Sequence, residues 1–364
     1  MNLLDFLEVL FCMKPKEEEP QIAREDILIS HIPTINAVKE NTPDEIILKE
    51  RTFNTNNIPE YKGDYLKKFE FRPSNFSQFI GQEKAKAQLK TAIKKIKRGI
   101  KSHIFVDGIQ GHGKTTLIQY VLPNELDKND TLVIYRVGKQ VDEECLEFIL
   151  KQINLSKEKY VLFFIDEIDS MDKKMIKVLN PIIESFQING LRIKPFIFVC
   201  ATINKHILKV NNPDTLDRIS THIKFSRYSD EHIATIINQY KTQLYPQDIV
   251  KENIVEKISL NSKFNPRTAI AMLEDYIVEQ NIDKVFNGRE IILDGLTKKD
   301  IDILKILNER TRPIGANALS MKAKLSEKEY ITEFEPFLVE YNYIDRVPSR
   351  IITEKGKKIL KELK

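Results

Sequence analysis

An α/β fold built on a parallel sheet is predicted for the middle of this chain, followed by a small helical domain and a third domain of helices ending in a hairpin. Three observations predict it. Between about residues 67 and 225, apolar strand-like runs alternate with helical segments, and runs apolar on both faces belong in a sheet covered on both sides. From about 226 to 293 the periodicity is helical only, in HIATIINQY, ENIVEKIS and PRTAIAMLEDYIVEQ. From about 294 the helical patterns DIDILKILNER, GANALSMKA and ITEFEPFLVEY precede a short pair, NYIDRV and RIITEK, around Pro348-Ser349. Three helices closed by a β-hairpin form the winged-helix pattern, a helix-turn-helix variant.

The 364 residues suffice for several cores at ~150 residues per domain. A composition of 41% hydrophobic and 30% charged residues excludes wholesale disorder and fibrous repeats. Lys plus Arg (57) nearly balance Asp plus Glu (53), so a net charge of +4 does not by itself announce nucleic acid. Any basic surface must be local. Cys12, Cys145 and Cys200 lie too far apart for a metal site or a disulfide framework, and are expected to be reduced thiols in cytoplasm. Asp5 and Glu8 interrupt the apolar run LLDFLEVLF, which is therefore not expected to be a signal peptide, and no stretch reaches the ~18 apolar residues of a spanning helix.

Taken in order, residues 1–66 differ from the rest, with KPKEEEP and little sustained periodicity, and are expected to be an extension or tether. Within it Leu3, Leu7 and Leu10, beside Leu4 and Phe11, outline one short amphipathic helix that either docks on a partner or folds back on its own domain. Strands follow in HIFV, TLVIYRV, YVLFFI and FIFVCAT, with helices in TTLIQYVL, CLEFILKQI and MIKVLNPIIESF between them. No tandem period appears, which argues against a solenoid.

Gly108-Ile109-Gln110-Gly111-His112-Gly113-Lys114-Thr115 fits GxxxxGKT and lies after the strand IFVD and before a helix, where a phosphate-binding loop belongs. Gly108, Gly111 and Gly113 let backbone N–H groups turn towards phosphate oxygens, and the helix aims its positive end at the same anion. Lys114 would neutralise β and γ oxygens. Thr115 would offer its hydroxyl to Mg²⁺, a hard ion that prefers oxygen. His112 fills a free position of the loop with no chemistry of its own, and Thr116 completes the cofactor-binding run. After the strand Val161–Ile165, Asp166 is the Mg²⁺ partner and Glu167 the base that orients the attacking water. The reaction class is nucleoside triphosphate hydrolysis. Thr202 and Asn204, at the end of the next apolar strand, are candidates for holding that water, Thr202 before Asn204. Arg218 in LDRIS is either a surface arginine or a cation delivered in trans to the developing charge. Arg267 in FNPRTAI opens a helix of the small domain and could reach the γ-phosphate, so that lid position would follow nucleotide state.

In this order these residues resemble AAA+ ATPases, and from Phe71 onward the chain is similar to the RuvB family of Holliday-junction branch-migration motors. FRPSNFSQFIGQEKAKAQLK, GIQGHGKTT, FFIDEID, CATIN, LDRIS, FNPRTA and EFEPFLVEYNYIDRVPSRIITEKG carry the resemblance. The Walker strings are generic; the RPxxFxxFIGQE opening and the EPFLxxxxYIDRxPxR ending are more selective. The resemblance implies ATP as nucleotide, adenine recognition around Arg72, Pro73, Phe79 and Ile80 with Gln82 close by, Arg218 as an arginine finger acting on a neighbouring subunit, and Arg267 as second sensor. It implies a homo-oligomer, a hexamer around duplex or four-way-junction DNA, with Arg346 and Arg350 on the wing facing phosphates. Two departures qualify it. Only QINGLRIK, with an Asn189-Gly190 type I′ turn, remains of the hairpin with which the family grips a RuvA-type junction-binding partner, which argues against that partnership. Asp169 stands where the family commonly has His, and the N-terminal extension is long. A nucleotide-switched loader or initiator that clamps DNA or a protein without translocating shares the Walker residues and stays open as the alternative.

Overall fold

The computed structural model describes residues 71–188, 190–203, 213–346 and 349–363. Residues 1–66, where a tether and a short amphipathic helix are expected, lie outside the described residues, as do Asn189, Asn204 and Pro348, and Cys12 with them.

Five parallel strands form the central sheet: β1 (Ile104–Asp107), β2 (Thr131–Val137), β3 (Tyr160–Asp166), β6 (Ile197–Thr202) and β7 (Thr221–Lys224), in the order β2-β3-β6-β1-β7. Alternate residues explain why the runs read as apolar throughout. Ile104, Val106, Leu162, Phe164, Val199 and Ala201 face a core with Leu89 and Ala92 of α1 (Glu83–Lys97) and with Leu117, Ile118, Val121 and Leu122. Phe105, Phe163 and Phe198 point to the opposite face and are equally buried. Cys200 lies among them, and burial pushes its thiol far above the ordinary range, which makes it inert. The helix after the phosphate loop, α2, starts as Lys114–Thr116, widens into π turns over Leu117–Val121 and resumes as Leu122–Asp127. Pro123, which lacks an N–H, follows the widened stretch.

β7 is a strand that periodicity did not reveal. It is four residues long, lies at the sheet edge and alternates buried with exposed. Further helices of this region are α3 (Glu143–Leu155), α4 (Lys173–Ser185) and α5 (Pro213–Asp217). The short hairpin exists as β4 (Gln187–Ile188) against β5 (Leu191–Arg192), antiparallel, with two residues in each strand.

The helical domain comprises α6 (Asp230–Leu244), α7 (Glu252–Asn261), α8 (Pro266–Glu279) and α9 (Ile282–Gly288), packed through Ile233, Ile237, Val255, Ile258, Ala269, Met272 and Leu273. The helix-only expectation for 226–293 needs correction at its end, where β8 (Ile291–Leu293) turns back as β9 (Leu296–Thr297). Asp294 and Gly295 both have positive φ, 49° and 75°, as a type I′ turn demands. Asp-Gly between apolar residues was the available signal.

In the winged-helix domain α10 (Lys298–Asn308), α11 (Ala316–Lys322) and α12 (Glu327–Glu329, π turns over Tyr330–Phe334, then Glu335–Glu340) precede β10 (Ile344–Asp345) and β11 (Ile351–Ile352), with a bridge from Ile314 to Arg350. The second wing strand stops earlier than RIITEK suggests. Thr353 Oγ1 accepts the Gly356 N–H at 3.1 Å and caps a further helix, α13 (Glu354–Glu362), which buries Ile359 and Leu360.

Candidate nucleotide site

β1 ends at Asp107, and the chain turns through Gly108–Gly113 into α2. Glycine is required at three points of this turn. Gly111 and Gly113 have φ of 81° and 90°, in the left-handed region. At Gly108 a Cβ would stand 2.6 Å from the Phe225 Cβ. Lys114 folds back over the loop and donates from Nζ to the carbonyls of Gly108 (2.6 Å) and Ile109 (3.1 Å). Burial lowers its pKa from the ordinary lysine value, an effect that Asp166 and Asp107 oppose.

Thr115 Oγ1 donates to Asp166 Oδ2 at 2.6 Å, which joins the start of α2 to the tip of β3. Asp166 Oδ1 accepts the Glu167 N–H at 3.0 Å. Glu167 has φ 50°, a conformation that non-glycine residues adopt when their surroundings impose it. Its carbonyl accepts the Ser170 N–H at 2.8 Å and Oγ–H at 2.7 Å, and it packs so close to Gly138 that a Cβ there would collide with it. The two carboxylates are therefore set by β3 and by the turn after it. A hydroxyl and a carboxylate in contact beside a phosphate loop are hard oxygen donors, a set that fits Mg²⁺ completed by phosphate and water. Among the described residues no cluster of three or more His, Cys, Asp or Glu forms an all-protein metal site.

These groups open onto a cleft of about 590 Å³ between the sheet and the helical domain, within the size range of a small-molecule site. Arg72, Pro73, Phe79 and Ile80 line it, as do Gly111, His112, Gly113, Lys114, Thr115, Thr116, Asp166 and Glu167, with Arg267 entering from α8. Phe79 approaches Gly113 so closely that a Cβ there would lie 3.2 Å from Cζ. The Arg72 guanidinium lies 6.0 Å from the Tyr120 ring centroid. His112 is buried, with its ring against Tyr228, whose hydroxyl donates to the His112 carbonyl at 3.0 Å. Burial, then Lys114, hold its pKa down at about 4.

The structure treats the remaining candidates differently. Gln82 does not line the cleft; its amide donates to the Ser226 carbonyl at 2.6 Å and accepts the Ser226 N–H at 2.8 Å, strapping α1 to the segment entering the helical domain. Thr202, the candidate for holding the water, ends β6 with its hydroxyl already engaged. Its side chain is fully buried and Oγ1 donates to Asp169 Oδ1 at 2.5 Å, which also gives Asp169 a physical reason to be there. Arg218 is away from the cleft of its own chain, donating from Nε to Glu184 Oε2 at 2.9 Å and from Nη1 to the Asp214 carbonyl at 2.6 Å. On the wing, Arg350 makes a two-pronged pair with Glu335, Nε to Oε1 at 2.5 Å and Nη2 to Oε2 at 3.1 Å, and that carboxylate is 1% exposed. The geometry thus favours holding the wing over the phosphate contact expected for Arg350, because its charge is already met inside the fold. Arg346, 60% exposed and 3.6 Å from the same carboxylate, still faces solvent.

Tyr120, Tyr135, Gln239, Tyr240, Ile270 and Glu274 also line the cleft and were missed. Tyr240, Ile270 and Glu274 face it because helices from a separate domain fold over it, which no local pattern records.

A family model described as the Holliday junction DNA helicase RuvB P-loop domain matches residues 71–211, and one described as the RuvB C-terminal winged helix domain matches residues 293–361. The RuvB subunit of the Holliday junction branch migration complex of Mycoplasma genitalium is 29% identical over 309 residues, covering 79% of this chain and 97% of the relative. That of Thermotoga maritima is 28% identical, covering 80% and 92%. The solved structure of the Thermotoga maritima RuvB Holliday junction branch migration motor is similar at a TM-score of 0.68 and 29% identity, over 80% of this chain and 98% of that one. Its A156S mutant superposes at 0.69.

Proposed function

The chain belongs to the RuvB-like AAA+ ATPases, with a P-loop domain and a winged-helix domain matching that family, and on that premise we propose that it hydrolyses ATP to drive branch migration of Holliday junctions. The observation that carries the reading is the Thr115–Asp166 contact at 2.6 Å beside Lys114, with Glu167 held next in line. Lys114 leaves the Gly108 and Ile109 carbonyls for the β and γ oxygens, and Glu167 orients the water for in-line attack. Thr115 and Asp166 would hold Mg²⁺, which offsets charge developing on the phosphates. Arg72, Pro73, Phe79 and Ile80 receive adenine, and Arg267 senses the γ-phosphate from the helical domain.

Arg218 serves the neighbouring subunit of a homo-oligomeric ring, a hexamer, because it faces away from its own cleft. Rotation of the helical domain on hydrolysis shifts the winged-helix domain on duplex or four-way-junction DNA, where Arg346 meets the backbone. Strands of two residues in the β4–β5 hairpin leave little for a RuvA-type partner to grip, so junction loading is assigned to this chain or to another partner. No helix among the described residues is long and apolar enough to cross a membrane, and we place the protein in the cytoplasm. The working division is residues 1–66 as tether, 67–225, 226–293 and 294–364.

The test is unwinding of a four-way junction with ATP against a non-hydrolysable analogue. A motor separates the arms with ATP alone. Equal action with either nucleotide would instead identify a loader or initiator that clamps DNA without moving it.

A further inference from the structure

Three consecutive residues, Lys263, Phe264 and Asn265, reach two different parts of the molecule, and none of them lines the nucleotide cleft. Lys263 and Phe264 both have φ of 55°, a left-handed backbone that breaks the helical path after α7. Lys263 Nζ donates at 2.5 Å to Asp300 Oδ2, a fully buried carboxylate in the first turn of α10. The same ammonium lies 4.6 Å from the centroid of the Phe337 ring. Phe264 stacks on Tyr341 with centroids 4.3 Å apart. The Arg227 guanidinium, from the segment joining the sheet to α6, lies over both rings, at 3.0 and 4.5 Å. These two residues therefore bind the helical domain to the winged-helix domain.

Asn265 faces the other way. Its Oδ1 accepts the Arg267 N–H at 3.0 Å and caps α8, while Nδ2 donates to the Gln110 carbonyl in the middle of the phosphate loop at 2.9 Å. The approach is tight enough that a Cβ on Gly111 would overlap the Asn265 amide. One side chain thus links the Gln110 carbonyl directly to the cap of the helix that carries Arg267. One residue earlier in the chain comes the Phe264–Tyr341 stack.

We infer that Asn265 is a positioning residue that couples occupancy of the phosphate loop both to the placement of Arg267 and to the seat of the winged-helix domain. The inference rests on the nucleotide reading above and adds to it a route by which the bound state reaches the DNA-binding end. Phosphates held by the loop N–H groups reset the Gln110 carbonyl; Asn265 follows, and Lys263 and Phe264 carry the shift into Asp300 and Tyr341.

Asn265→Ser separates this role from capping, because serine is an equally good N-cap but is too short to reach Gln110. The probe is ATPγS with Mg²⁺, added to the full chain, and the readout is hydrogen exchange at the Asn342 and Tyr343 amides, which donate to Val339 and Leu338 carbonyls within the winged-helix domain. In the parent, ATPγS is expected to change exchange at these amides by about fivefold or more, in the range of ordinary coupling between sites. Asn265→Ser should bind ATPγS within about threefold of the parent yet lose that response, with kcat falling and KM held. Phe264→Leu should lose the response while keeping kcat. The inference is overturned if the response persists undiminished in both variants, or if a parent that binds ATPγS shows none. A parent that fails to bind ATPγS in the preceding titration overturns the nucleotide reading itself.

Discussion

Arginines and lysines stand at both ends of the molecule where the sequence suggests anion contacts, but the fold commits them differently. At the nucleotide end Lys114 rests on two neutral carbonyls, and Arg267 enters the same cleft. At the wing, Arg350 is locked onto a buried carboxylate by two hydrogen bonds. A cation is available to a ligand where the fold leaves its counter-charge to be supplied from outside. Where a buried carboxylate is built in beside it, as Glu335 is beside Arg350, the cation is a structural part, and its removal strips that carboxylate of its two-pronged partner.

The sharpest way to break this contrast is to remove the available cation. Lys114→Ala should lose nucleotide binding by ~100-fold or more with no loss of thermal stability, since charge-assisted bonds to phosphate contribute about 1.5–3 kcal/mol each; calorimetric titration with ATPγS checks it. Glu167→Gln should bind ATPγS normally and lose turnover by about 10²–10⁴. Equal turnover by Glu167→Gln and the parent would remove the base assignment. Arg218→Ala should retain binding and lose ~10³ in turnover. Mixing it with Lys114→Ala should restore part of the activity, because each supplies what the other lacks across an interface; no restoration at any ratio would refute donation in trans.

At the wing the expected loss is of stability instead. Arg350→Ala leaves the buried Glu335 only its longer 3.6 Å pair with Arg346 and should cost up to about 3–5 kcal/mol in denaturant unfolding, the range for breaking a buried pair. A variant that loses DNA affinity at full stability would restore Arg350 to the phosphate-contact role. Arg346→Ala, by contrast, gives up only a mostly exposed 3.6 Å pair, so it should change stability by no more than about 1 kcal/mol, weaken DNA binding alike for all sequences and reduce the salt slope by about 1.

A difference in pH response separates the same two regions. His103 and His112 are both buried in the sheet domain with pKa values lowered from 6.5 to about 4, and residues 291–364 contain no histidine. His103 is neutral by design: one ring nitrogen faces the Ile183 carbonyl at 2.8 Å and the other accepts the Phe198 N–H at 3.1 Å. Because the folded pKa lies below the unfolded one, the stability these groups contribute is present above about pH 6.5 and is lost as pH falls towards 4. The loss reaches up to about 3 kcal/mol for each histidine. Hydrogen exchange followed from pH 7 to 4 should open the sheet domain before the winged-helix domain; simultaneous opening would count against these histidines as the cause.

Much of this was legible in the sequence because it is local. The phosphate loop and the acidic pair after β3 each lie in one short string whose chemistry depends on spacing, and both were found. The long strands were legible because burial on both faces leaves an unbroken apolar run. β7 was missed because an edge strand of four residues alternates too briefly, and α13 because Thr353 ends a strand and caps a helix at once. Thr202 and Asp169 were read as two separate features, since nothing along the chain indicates that residues 33 apart share a hydrogen bond. Tyr240, Ile270 and Glu274 were invisible for the same reason, being brought to the cleft only when the helical domain folds over the sheet.

If Arg218 serves a neighbouring subunit as proposed, its pairing with Glu184 sets the threshold for that use. Such a partly exposed pair contributes only about 0–1 kcal/mol, so the guanidinium is parked and readily released. On the proposal that Arg218 acts across an interface, a lone subunit would keep its trigger holstered against its own helix, and fuel would be spent only when a neighbour's loaded cleft comes within reach to draw it.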